Sequence, residues 1–160
     1  MAVTELDPEA RLQHALDLAY RHLGHRDRTV AEVRRHLEAK RVEPATIEEA
    51  LDELARAGYL DDQRYARTFA EDRRNLDGWG NERIERKLSS VGVADEVIAA
   101  VLGGFDHQDQ LASALEVLRQ RVRTPPSDER GREKALAVLV RRGYELETAY
   151  DAVRAYERDA

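Results

Sequence analysis

Four histidines, His14, His22, His25 and His36, fall close together near the start of the chain, and clustered imidazoles raise the question of a metal site. His22 and His25 stand three apart, a spacing at which one helix face could present two ligands, but Gly24 between them interrupts any such helix. The sequence has no cysteine, and no nearby acidic pattern completes a coordination set, so neither a metal nor a cofactor is expected. Asp61 and Asp62 could be paired as general acid and base. Adjacent residues at a helix start point apart, however, and suit capping better than proton transfer. GWGN around Trp79 and the pair Gly103 and Gly104 lack the Lys-Ser/Thr and the preceding strand of a phosphate loop, while Ser89 and Ser90 have no histidine partner. No catalytic residue emerges, which points away from an enzyme.

What remains is recognition by charge. A net charge of −6 disfavours a protein whose main work is coating nucleic acid, because neutralising phosphates takes surplus Lys and Arg. The charge is nevertheless unevenly placed. Basic residues dominate from Arg21 to Arg41, acids from Glu43 to Asp62, and a second basic stretch runs from Arg64 to Lys87. Solvated helix faces with i,i+4 pairs produce such stripes, and so do partner surfaces. Trp79, flanked by Gly78 and Gly80, is either exposed for a partner or tucked under a loop.

Helices must position these groups. Leu12, Ala15, Leu16, Ala19 and Leu23 form one apolar face and predict a helix from about Glu9 to Leu23, after a tail over residues 1–8. Thr29 and Glu32 form a capping-box pattern for a second helix that turns Val33 and Leu37 inward. Ile47, Ala50, Leu51 and Leu54 mark a third, begun either by Pro44 in its first turn or by a Thr46 cap. Gly58 closes that helix, and Asp61 with Asp62 suits the start of the next. The opening MAVTELDPEA lacks the basic and apolar regions of a signal peptide, and no apolar run is long enough to span a bilayer. With cysteine absent as well, a soluble cytoplasmic protein is expected, with no membrane partner.

Shifting the sequence by 51 residues superimposes Leu37, Leu88 and Leu139, and six further columns are apolar throughout: Val33, Ile84 and Ala135; Val42, Val93 and Tyr144; Ile47, Ile98 and Ala149; Ala50, Val101 and Ala152; Leu51, Leu102 and Val153; Leu54, Phe105 and Tyr156. The predicted fold is therefore all-α, an elongated, curved array of three tandem three-helix repeats over 9–57, 58–105 and 106–160. The same shift aligns Arg41 with Gly92 and Gly143 at the bend after each second helix. Glycine suits a left-handed residue there, and because arginine would carry a strain of about 1 kcal/mol or more, the first bend is expected to differ.

The stretches HRDRTVAEVRRHLEAKRV (His25 to Val42), GYLDDQRYA (Gly58 to Ala66) and GWGNERIERKLSSVGV (Gly78 to Val93) resemble, in order and spacing, the RecX family of bacterial regulators of the recombinase RecA. Gly58, Leu60, Asp61, Asp62, Tyr65 and Ala66 sit on its most specific motif, and Gly78, Ile84, Leu88 and Gly92 on the second; these positions are expected to be mainly structural. The resemblance implies a non-enzymatic protein that lies along RecA filaments on single-stranded DNA and inhibits filament growth, ATP hydrolysis and strand exchange. The net acidic charge, by contrast, argues against a large direct contact with DNA and leaves room only for a weak one. Charge striping then nominates Arg28, Arg34, Arg35, Arg64, Arg67, Arg83, Arg86 and Lys87 as partner-binding residues. The basic second helices leave open a helix-turn-helix DNA-binding regulator that acts without RecA. No dimerisation element is evident, so a monomer is expected.

Overall fold

A computed structural model describes residues 7–159, all of whose regular structure is helical. The first repeat comprises α1 (Pro8–Leu23), α2 (Val30–Ala39) and α3 (Pro44–Arg56); the second α4 (Asp62–Asp77), α5 (Asn81–Ser90) and α6 (Asp95–Gly103); the third α7 (His107–Arg121), α8 (Glu129–Arg141) and α9 (Leu146–Arg158). The third helices begin at residues 44, 95 and 146, which reproduces the 51-residue period. Among the described residues no helix is long and apolar enough to cross a membrane. Most of the expected tail lies outside the described residues, but its last residue is helical. Asp7 caps α1 by accepting from the Ala10 amide at 2.8 Å, and Pro8 occupies the first turn, where its missing N–H costs nothing. Pro44 likewise opens α3, while Thr46 is a buried residue inside the helix and not its cap.

Two compact units result. One runs to Tyr65 and includes Val91–Ala94; the other holds Ala66–Ser90 and the residues from Asp95 onward. In the first, α1 lies against α2 and α3, burying Ala15, Leu16, Ala19, Val33, Leu37, Ile47, Ala50, Leu51, Leu54 and Leu60. In the second, α7 lies against α8 and α9 around Ala114, Leu118, Ala135, Leu139, Ala149, Ala152 and Val153. The repeat columns are buried with one graded exception: Val101, Leu102 and Phe105 of the middle repeat are only half-buried. Tyr144 replaces the valine of its column and is 1% exposed; its hydroxyl is satisfied by Ser113 and the Gly78 carbonyl, each at 2.8 Å.

Consecutive repeats are joined by one recurring contact. In the first unit the bend at Val91 and Gly92 sits on the start of α2: the Thr29 hydroxyl donates to the Val91 carbonyl, and a Cβ on Gly92 would lie 2.3 Å from that of Ala31. In the second unit the bend at Arg142 and Gly143 sits on the start of α5. There the Gly80 amide donates to the Arg142 carbonyl at 2.8 Å and the Glu82 amide to the Gly143 carbonyl at 3.0 Å, and a Cβ on Gly143 would lie 2.2 Å from that of Arg83. Residues 29 and 91, and 80 and 142, are the same pair of positions one period apart. Glycine is thus required twice over, by a positive φ of 85° at Gly92 and 94° at Gly143, and by the close approach.

The first bend was expected to differ, and it does not. Arg41 adopts φ 61°, and the Val42 amide closes on the Leu37 carbonyl at 3.1 Å as the Tyr144 amide closes on Leu139 at 3.2 Å. The geometry is shared, and the difference lies in what surrounds it: the Arg41 side chain is exposed, whereas a Cβ at Gly92 or Gly143 would meet a neighbouring helix start. Its left-handed conformation costs about 1–2 kcal/mol, against about 0.5–1 kcal/mol of extra unfolded-state entropy that glycine would bring. Arg41→Gly should therefore raise the unfolding free energy by about 0.5–1 kcal/mol, and Gly92→Ala should lower it by about 1–3 kcal/mol, both read from urea denaturation.

A second long-range feature is the stacking of His22 at the end of α1 on His36 of α2, with ring centroids 3.9 Å apart and planes 4° from parallel. Burial lowers the pKa of both; His36 and Arg28 press further on His22, and Lys40 and Arg28 on His36. The folded chain therefore takes up these protons at lower pH than the unfolded chain, whose imidazoles titrate near 6.5. The contribution is full above that value and is lost as pH falls through it toward the lowered folded values. Denaturation followed between about pH 5 and pH 7.5 should show stability rising with pH, and His22→Gln should flatten the rise.

Candidate partner-binding surface

The GYLDDQRYA motif builds the corner that carries the first cations. Gly58, at φ 85°, ends α3 while the Tyr59 amide reaches back to the Leu54 carbonyl at 2.9 Å, and Leu60 drops into the core at 3% exposure. The two aspartates divide their work. Asp61 accepts from the Arg64 amide at 3.0 Å and caps α4, whereas Asp62 reaches 32 residues back to accept from the Val30 amide at 3.0 Å, serving the start of α2. Burial pushes the Asp62 carboxyl above its usual pKa, against the pull of that amide. Ala66 is fully buried and Tyr65 half-buried.

The start of α2 holds a second cluster. Thr29 and Glu32 form the predicted capping box, with reciprocal bonds of 3.1 and 3.2 Å. Burial works against the Glu32 carboxylate, but the Arg26 hydrogen bond at 2.6 Å, the Thr29 amide and the nearby Arg28 charge outweigh it and hold its pKa below the usual range.

These clusters consume several of the nominated cations. Arg28 is mostly covered and lies 3.9 Å from Glu32. Arg34 forks onto Glu48 from α3, at 3.2 and 3.3 Å, beside a 350 Å³ hollow floored by Val42, Pro44 and Ile47. Arg64 donates to the Gly58 carbonyl at 2.9 Å. In the second unit Arg83 lies over the Trp79 ring at 4.1 Å and donates to the Arg141 carbonyl at 3.3 Å. Trp79 is thereby half-buried under a guanidinium with Phe69 edge-on at 6.0 Å, so its ring is packed with only part of it exposed.

Arg35 on α2, Arg67 on α4, and Arg86 and Lys87 on α5 are exposed and make no ion pair with the described residues. Arg83, Arg86 and Lys87 share one face of α5 by their i, i+3 and i+4 spacing, while Ile84 and Leu88 are fully buried. Arg35 and Arg86 are one repeat period apart and occupy equivalent positions on second helices. Charge counting along the sequence could not separate these four residues from the others, because the acids that neutralise Arg34 and the ring beneath Arg83 lie on other elements. Arg121 and Arg142 were missed as a cationic pair beside Trp79; they flank a cavity described below, and only the fold brings them there. No group of His, Cys, Asp and Glu among the described residues could hold a metal ion.

Comparison with known proteins gives this geometry a family. Residues 15–54 match the first three-helix domain of RecX and residues 61–102 the second. The chain is similar to regulatory protein RecX of Amycolatopsis mediterranei strain U-32, at 30% identity over 96% of this chain and 89% of the relative. Similarity to the RecX of Mycolicibacterium smegmatis is also 30%, over 92% and 81% respectively. The fold matches the crystal structure of RecX from Lactobacillus salivarius with a TM-score of 0.80 at 17% identity, covering 92% of this chain and 97% of that one. A second crystal structure, of a regulatory protein RecX, matches with a TM-score of 0.73 at 21% identity. On the two matched domains and the near full-length relatives, the chain belongs to the RecX family of regulatory proteins.

Proposed function

We propose that this chain is a non-enzymatic regulator that binds RecA filaments on single-stranded DNA and inhibits their growth, ATP hydrolysis and strand exchange. The observation that carries the reading, beside family membership, is the repetition of an exposed, unneutralised arginine at equivalent positions: Arg35 in the first repeat and Arg86 in the second. A filament presents identical protomers in series, and a protein that offers the same cation in two of its three repeats is suited to meet two copies of one acidic feature. The net charge of −6 favours such local complementarity over wholesale neutralisation of phosphates.

Titrating the folded protein into the single-stranded-DNA-dependent ATPase of its cognate RecA should suppress hydrolysis below one copy per RecA. The double variant Arg35→Glu with Arg86→Glu should need about tenfold more protein for the same suppression, with an unchanged circular dichroism spectrum. Unchanged potency would remove these residues from the interface. Absence of inhibition, coupled with tight and steeply salt-dependent binding to naked DNA, would transfer the function to direct DNA binding.

A further inference from the structure

The second unit contains a cavity of about 360 Å³ lined by Leu76, Asp77, Trp79, Arg83, Arg121 and Arg142, continuous through four of these residues with a 90 Å³ cleft that reaches Gly78 and Ser113. Its charge is unbalanced. The Asp77 carboxylate is held by Arg73, and that of Glu116 in the cleft lies 3.7 Å from Arg119, both arginines being outside the lining, while the three arginines of the cavity have no carboxylate partner. Arg83 and Arg142 donate to the Arg141 and Asp77 carbonyls, which orient the guanidinium groups without neutralising them, and Arg121 is exposed with no partner among the described residues. The rim is preformed: the Gly78 carbonyl is fixed by the Tyr144 hydroxyl, and a Cβ at Gly78 would strike Val117 at 2.6 Å. Beside the cations stands Leu76, a leucine 74% exposed on a helix whose buried residues are alanines.

We propose that this cavity receives an acidic peptide segment of a protein partner, its carboxylates on Arg121, Arg142 and Arg83 and an aliphatic side chain against Leu76. The proposal rests on the reading of the chain as a protein-binding regulator and adds a site and a ligand chemistry to it. Two observations select a peptide over a single-stranded nucleic acid: Arg83 covers a face of Trp79 that a base would otherwise use for stacking, and Leu76 calls for an apolar side chain.

Trp79 is the chain's single tryptophan and reports on the cavity directly. The full chain is titrated with a short synthetic peptide of Asp and Glu carrying one central Leu, with its Asn/Gln twin, and with oligothymidylate. Saturable change in Trp79 emission with the acidic peptide and none with its neutral twin is expected. Arg121→Glu, at an exposed position that should leave folding intact, should weaken binding by about tenfold or more, and Leu76→Ser should weaken it further. Equal affinity of Arg121→Glu and the wild type, or tighter binding of oligothymidylate at the same cavity, overturns the proposal. Loss of peptide binding in a wild-type protein that still inhibits RecA overturns this site alone. Peptide binding in a protein with no effect on RecA removes the RecA reading and supports the site.

Discussion

The seating of a bend on the start of a preceding second helix is the contact on which the described fold depends. A helix start offers unpaired amides and a bend offers unpaired carbonyls, so each satisfies a need that neither can meet inside its own repeat. In the second unit two backbone amides do this work, and in the first a threonine hydroxyl does part of it. Because hydrogen bonding and steric exclusion act at the same place, the contact fixes register as well as energy: a shift by one residue would bring a side chain where only glycine clears the neighbour. The compact units reflect this. Val91–Ala94 group with the first repeat, on which they sit, and not with the helices that flank them in sequence.

How far the fold was legible in the sequence follows from the range of each interaction. The 51-residue period, the capping box of Thr29 with Glu32, and the glycines at positions 92 and 143 are local or periodic signals, and each corresponds to a feature of the structure. The first bend was misjudged because the strain of Arg41 was weighed without its surroundings; the cost is small enough for the repeat's geometry to absorb. Asp62 reaching Val30, and His22 lying on His36, join different helices, so no spacing rule within one helix could reveal them. Trp79 remained ambiguous in sequence because its covering group, Arg83, belongs to the next helix and was itself counted as a free cation.

The same reasoning explains why a count of basic residues overstates the number of free cations. Arg28 and Arg34 are engaged by acids from their own repeat, and Arg64 and Arg83 by carbonyls. An arginine held by a carboxylate must break that pair before meeting a partner, whereas one held by a carbonyl keeps its charge and gains orientation. Arg83 and Arg142 are of the second kind, and Arg35, Arg86 and Arg121 are unrestrained. Arginines engaged within the fold and arginines without an ion pair thus share the same helices.

The contrast between Arg41 and the two bend glycines has a bearing on how such a chain can lengthen. A repeat joined by the same contact needs glycine at its own bend, where a Cβ would strike the helix start on which the bend sits. A repeat inserted ahead of α1 would require the side chain of Arg41 to vanish before its helix start could be occupied. The repeats are therefore not interchangeable: the bends at positions 92 and 143 admit only glycine, whereas the bend at position 41 carries a side chain.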